Sequence, residues 1–361
     1  MIMPTSKRQL KKAGKVLIDD GRTDDERREA RLAIREWRRS HNGPLMRLRQ
    51  NLAVHVSEFG GETPVGRLKR LPAIAEKLAQ KRSMDLASMQ DVVGCRAIVP
   101  VEKIPDVVRK FEMSSSKHRL IREYDYLSSP KSSGYRGYHL VYQYQDPNPV
   151  VHGRIVEIQI RSPLQHAWAT TVEVVDTFTG QSLKSSHGSP EWVHFFRLMS
   201  ALFAAKEGCA PVPDTPRSAS TLSREIKRLS EALDVLAVLG DYGKQEIRVI
   251  ERLRSNVYTY TPGDNADRKY VLLELRMGRS SPELRWMAYR DYRNAIEAYD
   301  NAEEDEILRL ISRGGENARD IVLIRVAGVE GTSMLGAVKP SYPNYFADTR
   351  AFISELRETI G

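Results

Sequence analysis

Four short clusters in this sequence combine residue types that do chemistry. The densest is Tyr124–His139, YDYLSSPKSSGYRGYH. There Lys131, Tyr135, Arg136, Tyr138 and His139 crowd together behind a Ser-Pro break, and Ser132, Ser133 and Gly134 let the backbone turn. Cations and flat aromatic faces in one loop suit a base that is stacked and phosphates that are neutralised; an ordinary Gly/Ser turn carrying hairpin tyrosines has the same composition. The second cluster is Arg67-Leu68-Lys69 with Lys77 further on: either a nucleotide grip ahead of a helix or a solvated turn. In the third, Asp91-Val92-Val93-Gly94-Cys95-Arg96, Asp91 stands at the mouth of a strand, where a carboxylate is a good ligand for a hard cation such as Mg²⁺ or simply a loop residue. The fourth is Glu157-Ile158-Gln159-Ile160-Arg161. On an alternating strand Glu157, Gln159 and Arg161 share one face, which is either a site wall or a solvent-facing surface. His166 and Trp168 extend this group onto the next helix.

These clusters need elements to hold them. Residues 5–58 read as helices, with Leu32, Ile34, Trp37, Leu45, Leu48, Leu52 and Val56 at helical spacing. The arginine-dense run RREARLAIREWRRSH within them is either a solvated face or a surface for an RNA backbone. Gly60, Gly61 and Pro64 break the helix. A helix over 71–80, a strand over 94–101, a helix from Pro105, strands over 139–144 and 154–160, and a helix opened by Ser162-Pro163 follow. That order predicts an α/β (α+β) fold, a mixed β-sheet flanked by helices, for about 59–208. CAPVPDTPRS at 209–218 is a linker by composition. Beyond it a helical segment reaches 255. A small C-terminal α/β region over 256–361 comes next, with strands at 256–261, KYVLLELR and DIVLIRV, a helix over 283–304 and a terminal helix.

The bulk composition narrows the function classes. The 361 residues suffice for two or three cores, and 41% hydrophobic and 29% charged residues describe a globular chain. No apolar run is long enough for a membrane span, and the N-terminus has no apolar signal-peptide region, so no membrane partner is expected. Two cysteines, Cys95 and Cys209, stand far apart and in no CxxC pair, which argues for no zinc, no disulfide framework and a cytoplasmic location. The net charge of +9 points to a polyanionic partner.

Taken in order, RxK…DxxGxR…DY…PKxxGYRxxH…ExQIR resembles the synthetase domain of the RelA/SpoT family over about 60–205. The resemblance implies a nucleotidyltransferase-like fold and a magnesium-dependent transfer of pyrophosphate from ATP to a ribose 3′-hydroxyl. It implies that Arg67 and Arg96 sandwich the ATP adenine, as a stacking cation suits, and that Lys69 and Lys77 hold phosphates. Asp91 would bind Mg²⁺, and Glu157 would be a second ligand or the base for the acceptor hydroxyl. Tyr135 would stack on the acceptor base, with Lys131, Arg136, His139 and Arg161 around its phosphates or sugar. Asp91, Glu157, Tyr135 and Gln159 are the expected catalytic set. Two departures stand out. Tyr124 occupies the position before the DY pair where a basic residue is usual, and Glu173 is followed by VVDTFTGQSLKSSHG instead of the EH and YK pairs of small alarmone synthetases. No HD-type hydrolase segment is expected upstream.

Near the C-terminus Tyr342-Pro343-Asn344-Tyr345-Phe346 forms a YxxY pair, either a packed turn or part of a lid. Together with the basic single chain it resembles the CapRel family of fused toxin–antitoxins in phage defence. That resemblance implies pyrophosphate transfer to the 3′-CCA end of tRNA and inhibition of translation. It also implies a C-terminal regulatory domain like a zinc finger without its metal ligands, with Tyr342 and Tyr345 obstructing ATP until a phage capsid protein binds. Two other readings remain: an alarmone synthetase using GDP or GTP as acceptor, and an inactive nucleotide or RNA sensor. The complete charge set Arg67, Lys69, Asp91, Glu157 and Arg161 speaks against the sensor.

Overall fold

The structure, a computed structural model, describes residues 6–19, 21–81, 83–179, 189–240, 270–276, 283–313, 319–325 and 349–361. It begins with three helices, α1 (Lys7–Leu17), α2 (Asp24–Arg39) and α3 (Asn42–Glu58). Reciprocal capping boxes start α1 (Ser6 with Gln9) and α2 (Thr23 with Glu26). Then come β1 (Glu62–Leu68), α4 (Leu71–Gln80), β2 (Val93–Ile98), α5 (Ile104–Ser114), β3 (Arg119–Asp125), β4 (Tyr138–Gln143) and β5 (Ile155–Arg161). The five strands form one mixed sheet in the order β1-β2-β5-β4-β3. Helices α6 (Pro163–Thr179), α7 (Pro190–Lys206) and α8 (Ala219–Ala232) follow. The rest is β6 (Tyr270–Arg276), β7 (Glu283–Tyr289), α9 (Tyr292–Arg313), β8 (Arg319–Arg325) and α10 (Arg350–Ile360). The last three strands pair antiparallel in the order β7-β6-β8. No described helix is long and apolar enough to cross a membrane.

Both outer strands of the large sheet were illegible, each for its own reason. Pro64 and Gly66 look like breakers, yet β1 is an edge strand whose register shifts between Glu62 and Val65, and an edge irregularity is where a sheet tolerates proline. Strand β3 is mostly exposed and so has no apolar alternation to detect. The stretch 283–304 corrects the expected single helix: ELRWMAY is strand β7, whose pairing with β6 overrides a helix-like composition, and the helix starts at Tyr292. The expected strand at 256–261 lies outside the described residues.

The chain divides into two compact units, Met1–Tyr124 with His139–Ile160 and Ile296–Ala318, and Asp125–Tyr138 with Arg161–Ala295 and Arg319–Gly361. In the first unit, Leu10, Ile34, Trp37, Ile74 and Leu86 bury the apolar faces of α1, α2 and α4 together. The arginine-dense run of α2 is only partly solvated: Arg28 is exposed, whereas Arg31 and Arg38 are buried. Arg38, fully buried, pairs with Glu303 of α9 and donates to the Tyr299 hydroxyl at 3.3 Å, while Asp300 pairs with Arg35 and Arg39. Glu303 also accepts the backbone N–H of Leu71 at 3.2 Å, supplying from a distant helix the N-terminal cap that Arg70 does not make for α4. In the second unit, the terminal helix α10 sends Phe352 into a core with Phe195, Phe196 and Phe203 of α7, and Lys206 bridges to Glu355 and Glu358.

Candidate active site

In the first unit the antiparallel pairing of β1 and β2 sets Arg67 opposite Gly94 and Val65 opposite Arg96, so positions 67 and 96 belong to one face of the sheet. Lys69 follows β1 and is anchored by its own N–H to the Val92 carbonyl at 2.7 Å. Its ammonium lies 3.2 Å from Asp91 Oδ2, and Lys77 of α4 reaches Oδ1 at 2.7 Å. Burial alone would raise the Asp91 carboxyl; the two lysines outweigh it and hold the group below its ordinary value. Gly94 of the same cluster is required by packing, since a Cβ there would stand 2.8 Å from the Glu157 carbonyl oxygen of β5.

Along β5, Val156, Ile158 and Ile160 are buried while Glu157 and Gln159 are half-buried on the other face. Glu157 Oε1 accepts from His139 Nδ1 at 2.9 Å, and Oε2 accepts from Gln159 Nε2 at 2.8 Å. Burial pushes this carboxyl up and the Asp91 charge adds to that, yet His139 and Gln159 bring it down overall. Two carboxylates close enough to repel are hard oxygen donors of the kind a divalent cation joins. Among the described residues no group of three or more His, Cys, Asp and Glu gathers. Asp91 and Glu157 are carboxylate donors of the type Mg²⁺ accepts one or two at a time, with water and phosphate oxygens in its remaining positions.

The second unit holds the loop that precedes β4. Asp125 Oδ1 accepts the N–H groups of Leu127 and Ser128, Tyr126 N–H bonds the Gly137 carbonyl at 3.0 Å, and Lys131 and Gly134 close a turn. Gly134 has φ +92° and lies against α6 and α7, where an added Cβ would come within 3.1–3.3 Å of Ser200, Arg197 and Trp168. Its carbonyl accepts from the Ser200 hydroxyl. The Tyr135 ring meets Tyr126 and Trp168 edge-on at 5.7 and 6.3 Å, and the Lys131 ammonium lies 5.1 Å from its centroid. Its hydroxyl accepts from Arg161 Nε and Nη2 at 3.2 and 3.0 Å. Tyr135 is thus half-buried against the α6–α7 core and is more than a loop side chain.

Arg136 corrects an expectation. It does not project from the loop towards an acceptor; its side chain is 1% exposed and pairs with Glu207 at 2.7 Å. Sequence reasoning missed Glu207, Ser200 and Tyr126. Tyr126 lay in the densest cluster and was recoverable there, whereas nothing local distinguishes Glu207 or Ser200. Lys131, Tyr135 and Arg161 come together in the second unit; Lys69, Lys77, Asp91, His139, Glu157 and Gln159 form two linked groups in the first. Tyr342 and Tyr345 lie outside the described residues.

Residues 66–175 match the family described as "Region found in RelA / SpoT proteins". A curated relative, GTP pyrophosphokinase YjbM of Bacillus subtilis (strain 168), is 34% identical over 115 residues, which cover 30% of this chain and 53% of the relative. The chain thus spans about half the length of the curated relative it matches. Among solved structures, small alarmone synthetase 1 of Bacillus subtilis bound to its product pppGpp aligns at 24% identity and a TM-score of 0.39, covering 46% of this chain and 88% of that one. A GTP pyrophosphokinase family protein of Streptococcus pneumoniae aligns at 25% identity and a TM-score of 0.35, covering 45% and 83%.

Proposed function

We propose, taking the RelA/SpoT region at residues 66–175 as the premise, that this chain is an ATP-dependent pyrophosphokinase. The observation that carries the reading is the Lys69–Asp91–Lys77 contact beside the His139–Glu157–Gln159 group. The two lysines are cations that ATP phosphates would recruit, and exchanging them frees Asp91. Asp91 with Glu157 would hold Mg²⁺, which when bound withdraws charge from the transferred phosphates. A ribose 3′-hydroxyl oxygen attacks the β-phosphorus of ATP and the bond from that phosphorus to the α–β bridging oxygen breaks. AMP leaves, and the acceptor keeps the diphosphate. Glu157, kept ionised and oriented by His139 and Gln159, takes the hydroxyl proton. Arg67 and Arg96 bind the adenine, and Tyr135 with Lys131 and Arg161 receives the acceptor. Because charge spreads over phosphate oxygens, positioned cations are the main catalytic lever.

The acceptor is the 3′ end of tRNA, and its modification stops translation. Helix α1 supports this: Lys7, Arg8, Lys11, Lys12 and Lys15 are all exposed on a helix with no acid in its first turn, a surface suited to a phosphate backbone. The curated relative named a GTP pyrophosphokinase favours a second reading, transfer to GDP or GTP. Incubation with γ-labelled ATP and either deacylated tRNA or GTP separates the two. Label on tRNA is expected; label on GTP and never on tRNA overturns the tRNA acceptor, and label on neither overturns the kinase. We further propose that the C-terminal part restrains the kinase until a phage capsid protein binds, with Tyr342 and Tyr345 as the residues to test. Replacing both by alanine raises ATP affinity and toxicity on expression; a merely unstable or unchanged variant speaks for a packed turn.

A further inference from the structure

Two cross-links fasten the loop at 126–137 to the start of α6. In the first, Tyr135 accepts from Arg161. The second runs through the adjacent pair of residues. Arg136 Nη2 meets Glu207 Oε2, that oxygen also accepts from Gln165 Nε2 at 3.1 Å, and Oε1 accepts from the Ser162 hydroxyl. Ser162 and Gln165 are themselves the reciprocal cap of α6, Gln165 N–H to Ser162 Oγ and Ser162 N–H to Gln165 Oε1, both at 3.1 Å. Glu207 is the C-terminal cap residue of α7, so one carboxylate ties together the loop, the end of one helix and the beginning of another. Arg136 Nε and Nη1 make no hydrogen bond among the described residues, which leaves Glu207 to neutralise a buried guanidinium. Without that carboxylate the guanidinium has to leave the interior, and the backbone that carries Tyr135 moves with it.

We propose that Glu207 is a positioning residue for the acceptor loop: acting through Arg136, it holds the Tyr135 ring where an acceptor base stacks, without touching the acceptor. This deepens the pyrophosphokinase reading and rests on it for the identity of the loop. It also gives Arg136 the part of a fastener in place of a phosphate ligand.

The test compares Glu207→Gln with the wild-type full chain. Initial rates are measured with γ-labelled ATP against deacylated tRNA and against GTP, together with hydrogen exchange of the amides at 131–137. The expected result is an acceptor KM raised about tenfold, an ATP KM within about twofold, and loop amides exchanging about tenfold faster. Glu207→Asp, which keeps the charge, recovers part of the loss. If Glu207→Gln does not accumulate folded, Glu207→Asp takes its place, and its shorter reach shows the same acceptor-specific KM change at smaller size. An unchanged acceptor KM in either folded variant, or equal changes for ATP and acceptor, overturns the proposal. If the wild type labels neither acceptor, the kinase reading fails separately and loop exchange decides: faster exchange supports the fastener, unchanged exchange overturns it.

Discussion

The carboxylate groups of the first unit and the loop at 126–137 of the second solve opposite problems. Around Asp91 the cations are flexible lysines, 24% and 27% exposed, facing a carboxylate that is itself 28% exposed. Contacts of that kind exchange at small cost, since a partly hydrated ion pair contributes little net energy. In the loop the cation is an arginine with 1% exposure against a glutamate with 6%. The Glu207 carboxylate also accepts from Ser162 and Gln165, which holds the pair in place. Under the proposed function the first region trades protein partners for phosphates and a metal. The second is arranged to keep its shape. Charge count alone would have treated Lys69, Lys77 and Arg136 as one class of phosphate ligand, whereas burial separates them.

The largest effect should come from the exchangeable region. Asp91→Asn leaves two lysines without their carboxylate and should lower transfer from labelled ATP by about a thousandfold while the unfolding midpoint moves little. A large loss of stability would show that the lysine contacts are a rigid support, and the contrast with the loop would collapse. Next is Glu303→Gln, which strips the buried Arg38 of its charge partner and weakens the cap on Leu71 ahead of Lys77. Denaturant unfolding should show a loss of about 3–5 kcal/mol, largely recovered by Arg38→Met with Glu303→Leu. Recovery of stability without recovery of the ATP KM would mean that the cap on α4 also sets the lysine pocket. Smaller again is Tyr135→Phe. Losing the hydroxyl that Arg161 holds should raise the acceptor KM about tenfold, with the ATP KM as the internal control; equal changes in both would mean the ring is only scaffold.

A separate effect concerns stability and pH. His41 lies at the α2–α3 junction with Nδ1 donating to the Trp37 carbonyl at 2.8 Å, and burial depresses its pKa from 6.5 to about 3. The folded state therefore keeps this ring neutral where the unfolded chain takes up a proton. Its contribution is complete above pH ~6.5 and is lost as pH falls towards 3, about 2 kcal/mol between pH 7 and pH 5. Urea midpoints across that range check the sign. His41→Asn should flatten the profile, and a profile that stays steep would place the titration elsewhere.

Much of the fold was legible where local patterns carry it. Helix α4 falls on the residues its apolar spacing picks out, the alternation of RIVEIQI places β5 within a residue, and β2 starts within a residue of its expected position but ends at Ile98, three residues early. The chemical clusters, with Lys69, Asp91, Glu157 and Tyr135, were likewise visible because each depends on residue type at short range. What failed did so for lack of a local signal. Edge strands β1 and β3 have no two-sided burial to imprint an alternation, and ELRWMAY becomes a strand only because β6 lies beside it.

By itself, then, the sequence determined that two lysines, a carboxylate, a cation-rich loop and a second carboxylate follow one another along the chain, because residue type and short-range spacing are read directly from it. Only the tertiary structure decided which of those charges remain available. Arg35, Arg38 and Arg39 are taken by Asp300 and Glu303, more than 260 residues away, and Arg136 by Glu207. An arginine's use depends on whether a carboxylate meets it in a place that excludes water, and long-range packing alone sets that.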